Sequence, residues 1–205
     1  MYTSPLNRQE NIPAVVDFLK KNGFATLVSQ HEGRPWATHI PLFLEEKTDG
    51  TWSLAGHLAR ANPSWKSWGE NDEILAIFQG PHAYISPSWY EKANVSTWNY
   101  LAIHIYGKLR IMEGEELLAA LSKLTQKYES GREGAVLVEN LPPEYVKKEM
   151  RGVVGFEILP TKIQGTWKLS QNRNDADYQR IISELEKIGD ENSAQIAEEM
   201  RQNRP

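Results

Sequence analysis

Four stretches of the chain carry side chains whose types and spacing are suited to chemistry. Residues 80–90, GPHAYISPSWY, put one histidine, two tyrosines, a tryptophan and two prolines into eleven positions without a formal charge. Rings tipped with hydroxyls and an imidazole can stack on a flat ligand and hydrogen-bond its edge; they can also fill a core or a subunit contact. His82, Tyr84, Ser88 and Trp89 are the polar-tipped members.

The stretch TWNYLAIHIYG, read as a strand, sorts by parity. Asn99, Leu101, Ile103 and Ile105 share one face, while Trp98, Tyr100, Ala102, His104 and Tyr106 share the other. The first is a core face. The second is too aromatic for open water and too polar-tipped for ordinary core, which is the composition of an interface or a ligand cleft. Both readings hold together if a ligand sits at a dimer seam.

AGHLARANPSW is the candidate anion site. Asn62 followed by Pro63 is a helix-start signature, and it places backbone N–H groups within a few residues of His57 and Arg60. A plain strand-to-helix turn with a solvated arginine is the alternative. In WKLSQNR, Ser170, Gln171, Asn172 and Arg173 put hydrogen-bonding groups at the end of a strand just before a helix. They suit a ligand's polar edge or a phosphate, and equally the capping of that helix.

Other chemistries lack residues. No cysteine occurs, which removes thiolate nucleophiles, disulfides and cysteine-bound metals. His39, His57, His82 and His104 fall in expected strands without an HExxH-type pairing or a carboxylate at fixed offset, so no metal is expected. There is no G-x-S-x-G elbow, Walker loop or G-x-G-x-x-G. Glu45-Glu46 and Glu115-Glu116 are adjacent pairs that point to different faces, which suits solvation better than paired acid/base catalysis.

The elements that must hold these groups follow from periodicity. Asn11 caps a short helix with Pro13 in its first turn and Gly23 beyond its end; Val15, Val16, Leu19 and the stem of Lys20 form its inner stripe. FATLVSQ, PWATHIPLFLEE, TWSLAGHL, EILAIFQG, HAYISPSWY and TWNYLAIHIYGKLRIM are β-branched and aromatic runs separated by HEGRP, KTDG and QGP turns. Six antiparallel strands with short links predict a closed or nearly closed barrel. GEELLAALSKLTQKYE is an amphipathic helix with Leu117, Leu118, Leu121, Leu124 and Tyr128 along one face, and PEYVKKEM is a further short helix. VVGFEILPTKIQGTWKLS reads as one or two strands with Gly165 in the bend between them. A helix starting at Asp175 or Asp177 and stopping at Gly189, and a final helix over ENSAQIAEEMRQNRP, complete the pattern. The class is mainly β with peripheral helices (α+β): one domain over residues 1–205, with an N-terminal helix, inserted helices around 114–150 and C-terminal helices at 175–203.

With 40% hydrophobic and 24% charged residues in 205, the chain has an ordinary water-soluble composition and enough length to bury a sizeable core. The formal net charge of −4 opposes non-specific nucleic-acid binding. No helix-turn-helix stands out, and the basic cluster is confined to Lys147, Lys148 and Arg151. The N-terminal MYTSPLNRQENIP lacks a basic region followed by an apolar run, and no segment has the apolar length of a membrane span, so a cytoplasmic location is expected.

Taken in order, THIPL, GHLARANPSW, FQGPHAYISPSWY, STWNYLAIHIYG, GVVGFEI and KLSQNRN resemble the PaiB family of FMN-binding negative transcriptional regulators, along essentially the whole chain. The resemblance implies an FMN-binding split β-barrel of Greek-key type, related to pyridoxamine-phosphate oxidases and flavin reductases, in a homodimer with FMN at the subunit seam. It implies Thr38, His39 and Ile40 against the flavin ring, and His57, Arg60 and Asn62 at the ribityl chain and phosphate. Trp98, Asn99, Ser170, Gln171 and Arg173 would reach the same pocket, and His82 would stand in its wall. Repression of sporulation and degradative-enzyme genes is the implied role, with direct DNA contact unsupported by charge or motif. The alternatives are a flavin-dependent oxidoreductase or flavin reductase, and a haem-binding split barrel with a histidine axial ligand. One departure is Ser96, where the family often has proline.

Overall fold

The computed structural model describes residues 1–48, 50–69 and 72–204. In the expected KTDG turn, Asp49 lies outside the described residues, as does Pro205 of the last helical segment. The strands are β1 (Arg8–Gln9), β2 (Phe24–His31), β3 (Arg34–Pro41), β4 (Phe43–Glu46), β5 (Trp52–Ala59), β6 (Glu73–Ile85), β7 (Thr97–Met112) and β8 (Val153–Lys168). The helices are α1 (Ile12–Lys21), α2 (Gly114–Glu129), α3 (Pro143–Met150), α4 (Asp175–Ile188) and α5 (Glu191–Gln202). The strand order is β3-β2-β6-β7-β8-β5-β4, with β1 added to β8. This path is open, with β3 and β4 at its ends, so of the closed or nearly closed barrel that short links suggested, the closed form does not occur. The expected class, mainly antiparallel β with peripheral helices, holds.

The chain forms two compact units. The first comprises Met1–Phe18, Gln79–His104 and the residues from Gln164 onward. Besides the first turns of α1 it holds the hairpin of α4 and α5, packed through Tyr178, Ile181, Leu185, Ile196 and Met200, all nearly inaccessible to water. Helix α4 starts at Asp175, one of the two expected positions, and Asn174 caps it by accepting the Asp177 N–H at 2.9 Å. Asp177 is buried instead, where its carboxylate accepts the Glu91 N–H at 2.8 Å. Gly189 ends α4 in the left-handed conformation, as expected. Asn11 caps α1 as expected, accepting the Ala14 N–H at 3.0 Å.

Two glycines read as turn signals lie inside strands. The QGP segment does not separate two strands: β6 runs through Gln79, Gly80 and Pro81. A Cβ on Gly80 would lie 2.6 Å from the Phe18 ring, so the glycine serves close packing. Gly165 likewise marks no bend in β8; it pairs with Gln9 of β1, and a Cβ there would meet the Gln9 carbonyl oxygen at 2.7 Å.

The second unit comprises Leu19–Phe78 and Ile105–Ile163. The apolar run expected from Pro35 to Glu46 divides at Leu42 into β3 and β4. Strand β3 pairs with β2 over its whole length, and β4 pairs with β5. Residues Val154–Ile158 of β8 are buried on both faces, because β5 pairs alongside and Leu117 of α2 lies over Gly155. The buried stripe of α2 is Leu117, Ala120 and Leu124, with Phe43, Ala55 and Met112 in the same cluster; Leu121 is half-buried and Tyr128 exposed. The apolar stripe was therefore rotated toward alanine, a shift that leucine spacing alone does not reveal.

Candidate functional site

In the second unit, three expected residues lie on the end strand β3. Thr38 is half-buried, His39 is exposed and Ile40 is buried, so Ile40 offers a ligand only its backbone. His39 packs over Phe24, with near-parallel rings 6.3 Å apart, and its Nδ1 lies 3.1 Å from Thr26 Oγ1. Among the described residues β3 pairs only with β2, so its second edge carries no ladder hydrogen bonds there.

Beyond β5, the chain turns through Ala59–Asn62 into the 3₁₀ segment Pro63–Ser67. Asn62 ties this turn to β3. Its Oδ1 accepts the Ser64 N–H at 3.1 Å, and its Nδ2 donates to Thr38 Oγ1 at 3.1 Å. The structure thus joins Thr38 and Asn62, which stand in separate motifs.

Arg60 is engaged within the protein. Nε and Nη2 donate to the carbonyls of Arg151 and Val153 at 2.9 Å each, and the guanidinium lies 5.6 Å from the Trp65 ring centre. Its Nη1 remains outside these two bonds. His57, on β5, is half-buried, and that burial pushes its pKa down, so the ring is neutral with one donor and one acceptor nitrogen.

A buried carboxylate in this unit went unnoticed in the sequence. Glu157 is 4% exposed and takes a hydrogen bond from Ser53 Oγ at 2.5 Å, an ion pair with Lys47 at 2.9 Å and another with Arg110 at 2.7 Å. Arg110 bridges onward to Glu116. Burial alone would raise the Glu157 pKa; the hydrogen bonds from Ser53, Lys47 and Arg110 outweigh it and hold the pKa to about 2. The available signal was a lone acid inside the apolar run VVGFEIL.

In the first unit, strand parity separates neighbours. Trp98 is 52% exposed and forms an aromatic patch with His82 and Tyr84, its ring centre 6.1 Å and 5.8 Å from theirs. Asn99 faces the other way and is fully buried. There it accepts from Ser170 Oγ at 3.0 Å, and its Nδ2 lies 3.5 Å from Met200 Sδ. Trp98 and Asn99 are thus not brought to one surface. Gln171 folds back on its own strand end, donating to the Trp167 carbonyl at 2.5 Å and accepting the Leu169 N–H at 2.8 Å. Ser88 and Trp89 lie in the 3₁₀ turn Pro87–Trp89, where Ser88 pairs with Ser86 at 2.8 Å.

Arg173 sits over the Tyr90 ring at 4.8 Å and borders a cavity of about 170 Å³ that Lys168 and Thr97 also line. Lys168 Nζ donates to Thr97 Oγ1 at 2.6 Å. Neither Lys168 nor Thr97 was among the expected site residues, although Lys168 opens the KLSQNR motif.

Comparison with known proteins places this fold. A family model described as "Putative FMN-binding domain" matches residues 1–162. Over 200 residues, 98% of this chain and 96% of the relative, the sequence is 42% identical to Protease synthase and sporulation protein PAI 2 of Bacillus subtilis. Among solved structures, the fold is similar to that of the FAD and heme binding protein of Mycobacterium smegmatis (TM-score 0.62, 15% identity, 79% of this chain and 73% of that one). It is also similar to that of the flavocytochrome Anf3 of Azotobacter vinelandii (TM-score 0.63, 15% identity, 84% and 74%). Those two likenesses speak to the fold, which is the split-barrel architecture. Matched by the family model and by a relative of nearly equal length, the chain belongs to the FMN-binding-domain family of PaiB-type proteins that its motifs resemble.

Proposed function

We propose that this protein binds FMN and acts as a homodimeric, cytoplasmic negative regulator of sporulation and degradative-enzyme genes, as its resemblance to the PaiB family implies. The observation that carries the flavin reading is the joining of Thr38 and Asn62 beside the unpaired edge of β3. The edge of a flavin ring presents carbonyl oxygens, ring nitrogens and one N–H, so it needs donors and acceptors in alternation. A free strand edge, a hydroxyl, an amide and the neutral imidazole of His57 form such a mixed set. No carboxylate is needed, and the residues present fit the group.

In this reading, Thr38, His39 and the Ile40 backbone meet the ring, while His57, Arg60 through Nη1, and Asn62 meet the ribityl chain and phosphate. His82, Trp98, Asn99, Ser170, Gln171 and Arg173 are proposed as further flavin contacts; Asn99 would act through Ser170, given its burial. Bound flavin supplies reversible redox chemistry, and the protein's part is to hold and tune it. The aromatic patch of His82, Tyr84 and Trp98 is proposed as part of the dimer seam.

The test is the visible absorbance spectrum of the protein after loading with FMN and removal of the excess. A retained flavin band is the expected result; a colourless protein would overturn the reading. Steady NAD(P)H oxidation by the loaded protein would move the assignment from regulator to oxidoreductase.

A further inference from the structure

The second unit carries a cleft of about 580 Å³, lined by β4 and by the last turns of α1 and α2, and its volume is in the range of small-molecule sites. Phe43 and Leu44 give it an apolar wall, which the methylene stems of its lysines extend. Three of the lining side chains are cationic and two anionic. Lys20 pairs with Glu46 at 2.8 Å and Lys123 with Glu45, which leaves Lys127 over. Among the described residues Lys127 has no carboxylate partner; its ammonium lies 5.4 Å from the Tyr128 ring centre. Gly23 makes room for it, since a Cβ there would come within 2.9 Å of Nζ. Burial against these neighbours pushes the Lys127 pKa below the usual lysine value, so its charge has lost part of its hydration without gaining a counter-ion. The helix ends at which Lys20 and Lys127 stand favour a cation but do not neutralise it. One uncompensated positive charge beside an apolar wall is complementary to a single carboxylate on an apolar body. Gln126 and Ser130 line the same cleft and can donate to the second carboxylate oxygen.

We propose that this cleft binds a small organic monocarboxylate, with its carboxylate on Lys127 and its apolar body along Phe43 and Leu44. None of the residues proposed to hold the flavin lines the cleft, so the two sites fill independently. Octanoate is titrated into flavin-free and into FMN-saturated protein, with binding followed by calorimetry at constant ionic strength. Octan-1-ol and octylamine, which carry the same chain without a negative charge, are titrated alongside. One octanoate per chain is expected in both forms of the protein, bound about tenfold or more tighter than either neutral or cationic analogue. Lys127→Met keeps the apolar stem and removes the charge; it should weaken octanoate about tenfold, as for loss of a hydrogen bond to a charged group. Lys127→Arg should retain binding. Ser130 is exposed, so Ser130→Glu places a negative charge in the cleft without disturbing the core, and it should weaken octanoate at least as much. Lys148→Gln, outside the cleft, serves as control.

Octan-1-ol or octylamine binding as tightly as octanoate would overturn the proposal, because the cleft would then be an apolar contact without charge recognition. So would the absence of octanoate binding, or binding unaltered by both Lys127→Met and Ser130→Glu. Displacement of octanoate by FMN would overturn it as well, since the cleft would then belong to the flavin. Failure to retain FMN with octanoate binding intact would remove the flavin reading and leave this one standing.

Discussion

Ser170 donates its hydroxyl to the Oδ1 of Asn99 at 3.0 Å from a left-handed backbone conformation, φ 61°, that serine rarely adopts. Asn99 is completely buried, so this hydroxyl is what satisfies its carbonyl oxygen. The strained residue and the buried amide hold the end of β8 against the start of β7.

The first prediction concerns that pair. Ser170→Ala keeps the unfavourable φ and orphans the Asn99 oxygen, which should cost about 1–3 kcal/mol. Ser170→Gly loses the same bond but relieves about 1 kcal/mol of backbone strain, so it should be the milder change. Urea unfolding of both variants measures the order; an alanine variant at least as stable as the glycine one would contradict it.

Acid should act on Glu157. Its folded pKa of about 2 lies below the ordinary value of 4.5, so its stabilising contribution is complete above pH 4.5 and is lost as pH falls through about 2. At most about 3 kcal/mol is involved, and less in practice because Arg110 is half exposed to solvent. Glu157→Gln should lower stability at pH 7 and flatten its decline between pH 4.5 and 2. Unfolding curves at successive pH values would show this, and parallel declines in both proteins would refute it.

Gly165→Ala should detach β1. Its methyl would lie 2.7 Å from the Gln9 carbonyl oxygen, a backbone atom with no rotamer to escape by. The expected cost is about 1–3 kcal/mol. Faster amide exchange confined to residues around Arg8 and Gln9 is the specific signature, measurable by hydrogen–deuterium exchange.

Asn62→Ala removes both a cap and the link to Thr38. Stability should fall by about 1 kcal/mol. If Asn62 also touches the flavin, FMN affinity should fall by more than the same substitution at Asn174, another cap, produces. Equal affinities in the two variants would confine Asn62 to a structural role.

Much of the fold was legible because helices announce both ends. Asn11, Gly189 and the α2 and α3 segments read directly from capping and amphipathicity. Glycines misled the reading of strands, since a residue chosen for lack of a Cβ looks the same whether the backbone turns or another group must come close. Gly80 yields to Phe18 and Gly165 to Gln9, both partners distant in sequence, and no local pattern encodes either. For the same reason the two-residue strand β1 could not be foreseen. At the candidate site, composition identified His82, Trp98 and Arg60 as able to bind ligands. The opposite faces of Trp98 and Asn99 follow already from strand parity, whereas only the structure shows that Arg60 holds two carbonyls.

The anchoring of β1 also bears on the order in which the molecule assembles. The α4–α5 hairpin joins residues close in the chain and can form early, whereas Thr3 must find Thr166 across 163 residues before the N-terminal segment docks. Ser4, Leu6 and Asn7, which help enclose the Lys168–Arg173 cavity, belong to that late-closing segment. This part of the cavity wall is therefore expected to close after the α4–α5 hairpin, and release of a few terminal residues would open the cavity.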